Sequence, residues 1–282
     1  MDSRYKNILK KHNFTFKKAF GQNFLSDHAL LEDIVVQSGI TKEDTVLEIG
    51  CGAGALTQFL CKRAKRVVGY EIDEKLKPIL SEVLEDYSNY EIVFKDVLKE
   101  KIQVVDEKLG KNFVLVANLP YYITTPIILQ FLENSKNIKA MVVMVQEEVA
   151  DRLCAKNANS EYGAITVAIN LRGKATKIYR VGREKFYPIP NVDSAVVKIE
   201  IDCKKFENVD LLAVREVVKC AFQNRRKTLV NNLMRCFSLA REEAENVILE
   251  LGHSNMVRGE ELTAEDYVNL TEKIKGLNKW KK

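Results

Sequence analysis

Short apolar runs alternate with amphipathic segments along the N-terminal two thirds of the chain. The runs predict strands, and the segments, in which apolar residues recur every three or four positions, predict helices. The predicted strands are 45–49, 67–71, 91–95, 113–117, 140–145, 176–181 and 194–201, and the predicted helices include 28–38, 55–63 and 74–86. Such alternation is typical of a parallel sheet with helices on both faces, so we expect an α/β fold.

The pattern changes after residue 203, where strand-like runs give way to helical spacing alone. The ranges 211–222, 227–237, 240–251 and 264–274 repeat apolar residues at helical intervals. We therefore predict two domains. An α/β domain covers residues 1–203 and begins with a basic arm at 1–20, and a smaller all-helical domain covers 204–282.

Composition limits the possibilities without naming a function. The chain has 282 residues, 46% of them hydrophobic, and a net charge of +5, which permits a polyanionic partner. Its six cysteines include no C-x-x-C pair, so we expect small buried side chains in a reducing compartment, not disulfides or a metal site. We expect no secretory signal, and the longest apolar stretch, 140–145, is too short to span a bilayer. The three histidines form no evident Ser-His-Asp or Cys-His arrangement, which argues against acyl transfer.

A glycine-rich turn connects the predicted strand 45–49 to the predicted helix 55–63. Gly50, Gly52 and Gly54 lie in this turn. Glycines there let the backbone adopt positive φ and approach a ligand closely. A strand, a glycine turn and a helix in this order predict a nucleoside-binding site.

Three carboxylates refine that prediction. Glu71 ends the next strand, about twenty residues further on, where a carboxylate can accept both hydroxyls of a ribose. Asp96 follows the third strand and can accept a hydrogen bond from an adenine amine. The glycine spacing departs from the dinucleotide pattern, and the negative charge of Glu48 before the turn suits a cationic ligand without phosphates. The sequence therefore predicts a site for S-adenosylmethionine.

The tetrapeptide Asn118-Leu119-Pro120-Tyr121 follows the strand predicted at 113–117. Asn118 Oδ1 and the Leu119 carbonyl can accept both hydrogens of an exocyclic amine, and Tyr121 can stack on the ring that carries it. Asn-x-Pro is also ordinary turn chemistry, so the glycine turn upstream gives this tetrapeptide its meaning. Phe186 is a candidate for the opposite face of the clamp, although a phenylalanine before a proline-rich turn is commonly part of the core.

These motifs together resemble the KsgA/RsmA family of rRNA adenine dimethyltransferases over nearly the whole chain. The segments that carry the resemblance are 18–25, 48–54, 118–126, 146–150, 186–194 and 221–229. The resemblance implies a Rossmann-like methyltransferase domain that uses S-adenosylmethionine, followed by a smaller helical domain that contacts RNA. It also implies transfer of four methyl groups to two adjacent adenosines in the hairpin loop near the 3′ end of 16S rRNA, and a role in assembly of the small ribosomal subunit. A cytoplasmic monomer without a metal is expected.

The resemblance also assigns roles to individual positions. Cofactor contacts are implied for Asn23, Leu25, Gly50, Gly52, Glu71, Asp96 and Asn118. The pocket for the target adenine is implied for Asn118, Leu119, Pro120, Tyr121 and Phe186. Candidate phosphate contacts are Lys17, Lys18, Arg225, Arg226 and Lys227, although charged clusters of this kind are usually just solvated.

Two alternatives share parts of this pattern. The Erm methyltransferases, which act on 23S rRNA and confer macrolide resistance, carry the same glycine turn and a similar tetrapeptide, but residues 225–228 and the helical C-terminal part favour the KsgA/RsmA family. The other alternative is a non-catalytic RNA-binding assembly or transcription factor on the same fold. The presence of Gly50, Glu71, Asp96 and Asn118 argues against that loss of catalysis.

Overall fold

The computed structural model of the chain describes residues 3–16, 23–25, 27–118, 120, 123–202 and 204–277. It divides into two compact units: the first comprises residues 1–150 and 175–201, and the second comprises 151–174 and 202–282. The predicted boundary after residue 203 differs from this division at the segment 151–174, which packs with the C-terminal helices. Its helical spacing fits either unit, so packing alone assigns it.

The first unit is built on a seven-stranded sheet and a separate two-stranded pair. The strands are β1 (Phe24–Leu25), β2 (Thr45–Ile49), β3 (Arg66–Glu71), β4 (Tyr90–Phe94), β5 (Phe113–Asn118), β6 (Ile138–Gln146), β7 (Gly173–Val181), β8 (Phe186–Tyr187) and β9 (Ser194–Ile201). The order in the large sheet is β4-β3-β2-β5-β6-β9-β7. Strands β2 to β6 pair in parallel with one another, whereas β9 runs antiparallel to β6. The predicted strands are confirmed, with ends shifted by at most three residues.

The predicted helices are also confirmed, with two differences. The helices are α1 (Ser3–Lys11), α2 (His28–Ser38), α3 (Ala55–Arg63), α4 (Lys77–Val83), α5 (Ile102–Leu109), α6 (Thr124–Asn134), α7 (Glu147–Leu153), α8 (Ala164–Asn170), α9 (Leu211–Gln223), α10 (Leu229–Phe237), α11 (Arg241–Glu250) and α12 (Ala264–Gly276). The helix predicted at 74–86 is a 3₁₀ turn followed by the shorter α4, and α1 forms where we expected only a basic arm. Among the described residues, no helix combines the length and the apolar character that a bilayer crossing requires.

Burial explains why β5 lies in the middle of the sheet. Its residues from Phe113 to Ala117 are at most 2% exposed, as expected for a parallel strand covered on both faces. On one face, Leu30 of α2 and Leu60 of α3 pack in a single cluster with Val46 of β2 and Val114 of β5. The amphipathic spacing of α2 and α3 therefore places these helices against the sheet.

The strand register aligns the ends at which the candidate site residues lie. Ile49, the last residue of β2, pairs with Tyr70 of β3 and with Ala117 of β5. Because these three strands are parallel, the residues that follow them emerge at one carboxyl edge of the sheet. Ligands of open α/β sheets bind at such an edge.

The second unit packs its helices around a core of its own. Tyr162 and Tyr267 are among its largest fully buried side chains. Cys220 of α9 and Cys236 of α10 form a disulfide with Cα atoms 6.1 Å apart, which corrects our expectation that the cysteines are unpaired. A separation of 16 residues does not by itself predict a disulfide. The two cysteines meet only because α9 packs against α10, which local sequence does not show.

Candidate active site

The glycine turn after β2 has the backbone conformation that its sequence predicts. Gly50 and Gly52 have φ values of 78° and 54°, in the left-handed region that favours glycine. The Gly50 N–H donates to the Tyr70 carbonyl at 2.8 Å, which fixes the start of the turn to β3. A Cβ atom added at Gly50 would lie 3.7 Å from the carbonyl oxygen of Asn118, so the turn runs directly beside that residue.

Glu71, at the end of β3, is held against this turn by three backbone donors. Its Oε1 accepts from the N–H groups of Ile72 and Asp73 at 2.8 and 2.9 Å, and its Oε2 accepts from the Gly52 N–H at 2.9 Å. Burial raises the pKa of Glu71, whereas the backbone donors favour the ionised form. A carboxylate has about four lone-pair sites, so Oε2 keeps acceptor capacity for a ligand hydroxyl.

Asp96 places a second carboxylate one strand away from Glu71. It follows β4, whose residue Phe94 pairs with Glu71. Its side chain accepts a hydrogen bond from the Leu98 N–H at 3.0 Å, which begins a 3₁₀ turn, and it lies 3.8 Å from the ammonium of Lys99. The predicted position of Asp96 at the carboxyl edge is thus confirmed.

Asn118, the last residue of β5, belongs to the predicted base-binding tetrapeptide and lies beside the glycine turn predicted to bind the cofactor. It is half-buried, and its Nδ2 donates to the main-chain carbonyl of Asn23 at 3.4 Å, which leaves Oδ1 as the acceptor. The Pro120 carbonyl accepts from the Ile123 N–H at 3.1 Å and so forms the turn into α6. Leu119 and Tyr121 lie outside the described residues.

Phe186 lies in the core, not on a free surface of the site. It pairs with Leu25 in the antiparallel pair of β1 and β8, and the two side chains are 4% and 3% exposed. A ring buried to this extent presents no face to a base in this conformation. The predicted clamp would therefore require the ring to move. The sequence near Phe186 does not reveal its burial, because the pairing with β1 joins segments about 160 residues apart.

The structure also corrects the charge that we expected before the glycine turn. Glu48 is only 1% exposed, and neither of its carboxylate oxygens makes a hydrogen bond within the described part of the chain. Burial raises the pKa of Glu48 to about 7, and the nearby Glu71 adds to that rise. Burial therefore favours the neutral form of Glu48 over the charged form that the sequence led us to expect.

The predicted phosphate contacts are not equivalent to one another. Arg225, Arg226 and Lys227 are all exposed, but the guanidinium of Arg225 also donates to the carbonyls of Ser160 and Tyr162 at 2.6 and 3.0 Å. Arg225 thus holds a loop of the second unit. Lys17 and Lys18 lie outside the described residues.

Asn232 is a structural residue that the sequence analysis missed. It is 2% exposed, and its Nδ2 donates to the carbonyls of Ala221 and Asn224 at 3.0 and 3.3 Å. These bonds satisfy carbonyls at the C-terminal end of α9, just before the basic residues. An amide on the otherwise apolar face of α10, beside Leu233, was the available signal.

The site therefore combines a nucleoside-type turn with an amide acceptor at one sheet edge. Within the described ranges, no three His, Cys, Asp or Glu side chains lie close enough together to hold a metal ion. A family model described as ribosomal RNA adenine dimethylase matches residues 13–275. The chain belongs to this family. As a ribosomal RNA adenine dimethylase, it is a methyltransferase that uses S-adenosylmethionine.

Relatives of this adenine dimethylase support the assignment along nearly its full length. It is 42% identical to the ribosomal RNA small subunit methyltransferase A of Bacillus licheniformis, over 96% of each chain. It is 43% identical to the protein of the same name from Bacillus mycoides, over 95% of this chain and 94% of that one.

Solved structures support the predicted fold of this adenine dimethylase. A dimethyladenosine transferase from Plasmodium falciparum aligns with a TM-score of 0.76 at 27% identity, over 88% of this chain and 95% of that one. The 23S rRNA methyltransferase ErmE aligns with a TM-score of 0.69 at 26% identity, over 90% of this chain and all of that one. The Rossmann-like methyltransferase prediction is thus confirmed.

Proposed function

We propose that this protein transfers methyl groups from S-adenosylmethionine to the N6 amines of two adjacent adenosines in the hairpin loop near the 3′ end of 16S rRNA. The observation that carries the proposal is the hydrogen bond between Asn118 and Asn23, at the edge that also bears Gly50 and Glu71. The name shared by the curated relatives supports the small subunit as the target. On this proposal, the protein acts during small-subunit assembly.

The residues at the sheet edge fit the cofactor. Gly50 and Gly52 have no side chains, so the cofactor can approach the backbone of the turn. Glu71 offers an oriented carboxylate to the ribose hydroxyls. Asp96 offers an acceptor to the adenine amine. The side chain of Leu25 is buried, so in this proposal Leu25 contacts the cofactor through its main chain. When bound, the cofactor supplies an electrophilic methyl group on a sulfonium.

Asn118 prepares the amine of the target base for attack. An adenine amine is a poor nucleophile, because its lone pair is delocalised into the ring. In this proposal, Asn118 Oδ1 accepts one N–H of the amine and the Leu119 carbonyl accepts the other. These two hydrogen bonds favour a more tetrahedral nitrogen, whose lone pair then points towards the methyl group of the cofactor. Positioning of this kind contributes several kcal/mol, about 7–11 kcal/mol at most. The proton can leave after transfer, so no strong base is needed.

The test replaces Asn118 by alanine and measures methyl incorporation into small subunits from a strain that lacks the modification. We expect methyl transfer to fall by about 100-fold, because an interaction aimed at the reacting group is lost. Binding of S-adenosylhomocysteine should be retained. Asn134→Ala is the matched control, since Asn134 is an exposed amide at the end of α6. Near-normal transfer by Asn118→Ala would contradict the assigned role.

The same assay separates the two rRNA targets. The likeness to ErmE shows that the fold alone does not choose between them. We expect label in the small subunit, with the modified nucleotides mapping to two adjacent adenosines. Label in the large subunit, or macrolide resistance on expression in a sensitive strain, would favour the Erm alternative.

The second unit supplies RNA contacts in this proposal. Arg226 and Lys227 are exposed cations on a turn whose backbone is fixed by Asn232. Their role is to contact phosphates, which orient a protein on RNA without reading its sequence. Binding should weaken steeply with salt as counterions are released. The cytoplasmic location and the monomeric state expected from the family remain predictions.

A further inference from the structure

The N-terminal helix α1 ends in a motif that turns the chain back on itself. Asn13 has a φ of 49°, and its N–H donates to the Lys10 carbonyl at 3.0 Å. The Phe14 N–H donates to the Leu9 carbonyl at 2.9 Å. These two bonds around a left-handed residue form a Schellman motif, in which asparagine is one of the favoured residues. The motif directs Phe14 back towards the body of the first unit.

Several contacts fix α1 in place. Tyr5, Ile8 and Leu9 are buried in one cluster with residues of α4 and of the 3₁₀ turn before it. The side chains of Lys11 and His12 lie 2.9 and 2.8 Å from the same carboxylate oxygen of Glu82. An apolar face and two polar contacts thus anchor the segment 3–16 to the first unit.

The two aromatic residues after α1 pack on Phe24 of β1. The ring of Phe14 stacks on that of Phe24 with centroids 6.0 Å apart and planes 24° apart. The ring of Phe16 lies 5.1 Å from Phe24 and 5.4 Å from Tyr187. Phe24 is therefore held by two rings that come from the N-terminal segment.

Phe24 in turn touches the glycine turn. A Cβ atom added at Gly52 would lie 3.1 Å from the Phe24 ring, so the ring lies directly against this glycine. The N–H of Gly52 donates to Glu71 Oε2. A continuous series of contacts therefore runs from Phe14 and Phe16 through Phe24 and Gly52 to the carboxylate assigned to the ribose.

We propose that Phe14 and Phe16 are positioning residues for cofactor binding, which hold Phe24 against Gly52 and so keep the Glu71 carboxylate oriented. This inference rests on the proposed function, because it assigns the edge beside Gly52 to S-adenosylmethionine. Without the two rings, Phe24 gains rotamer freedom that binding must then remove. Immobilising one such side chain on binding weakens the affinity by about two- to tenfold.

The test is the double variant Phe14→Ala/Phe16→Ala in the full chain. We expect the Kd for S-adenosylhomocysteine, measured by calorimetry, and the KM for S-adenosylmethionine to rise about tenfold. The kcat and the KM for small subunits should stay within about twofold of wild type, a split that general destabilisation would not produce. Phe59→Ala is the matched control, because Phe59 is a half-buried ring of the first unit that contacts His28.

A second pair of variants tests the same inference without removing a ring. Asn13→Gly keeps the left-handed conformation, whereas Asn13→Val opposes it, since β-branched residues strongly disfavour positive φ. We expect Asn13→Val to weaken cofactor binding in the same direction as the double variant, and Asn13→Gly to bind as wild type does. These variants decide the question if the double variant fails to fold.

The outcomes distinguish failure of the inference from failure of the proposed function. If wild type binds S-adenosylhomocysteine and methylates small subunits, but all the variants bind the cofactor as tightly as wild type, the positioning role is overturned. A rise only in the KM for small subunits would also overturn it. If wild type itself neither binds the cofactor nor transfers methyl groups, the proposed function fails.

Discussion

Replacement of Glu48 by glutamine should stabilise the protein at neutral and alkaline pH and change little in acid. The side chain is fully buried on β2, and its carboxylate oxygens make no hydrogen bond within the described part of the chain. Ionisation there places a charge in the interior, away from water, which is costly. Glutamine has nearly the same shape and cannot ionise.

The magnitude follows from the pKa of Glu48, which burial raises from its usual 4.5 to about 7. Between these pH values, the folded chain holds a proton that the unfolded chain has released. The contribution of Glu48 to the free energy of unfolding therefore falls as the pH rises from about 4.5 to about 7, and then stays level. The loss above this range is on the order of 3 kcal/mol.

The assay is urea unfolding, followed by circular dichroism, of wild type and Glu48→Gln at pH 5 and pH 8. The variant should gain about 2–3 kcal/mol relative to wild type between the two pH values. Glu32→Gln on the exposed face of α2 serves as the control and should show no such gain. An equal difference at both pH values would show that Glu48 does not titrate in the folded state as argued.

The remaining predictions concern single side chains. Glu71→Gln should raise the Kd for S-adenosylhomocysteine by about tenfold or more, because an amide cannot accept from every backbone donor, and calorimetry that shows no change would refute this. Arg226→Ala should reduce the slope of log K for RNA binding against log salt concentration by about one, as measured by filter binding. Arg225→Ala should instead lower the midpoint of thermal unfolding, because it removes the bonds that hold the loop. The opposite pattern would exchange the roles assigned to these two arginines. Asn232→Ala should lower the free energy of unfolding by about 1–3 kcal/mol in urea titrations, because buried carbonyls lose their donor; an unchanged value would mean that the bonds contribute nothing. Cys236→Ser should lower it by up to about 3 kcal/mol in oxidising buffer and not in reductant; equal loss in both would exclude the disulfide as the cause.

Much of the catalytic edge was predictable from local sequence. The alternation of apolar runs determines β2 to β6, and the glycines after β2 determine a turn that few other residues could form. Because parallel strands end at one edge, the positions of Glu71, Asp96 and Asn118 at or just after the ends of three such strands suffice to place them at the same edge of the sheet. These features depend on residues close in sequence and on the periodicity of burial.

Only the tertiary structure decided how the individual side chains are used. The burial of Glu48, the loop held by Arg225, and the pairing of Phe186 with β1 all depend on residues distant in the chain. The same is true of the disulfide between Cys220 and Cys236, and of the rings that α1 brings onto Phe24. Sequence patterns record which residues prefer to be buried, but the contacts that set a pKa or fix a ring arise only when distant segments pack together.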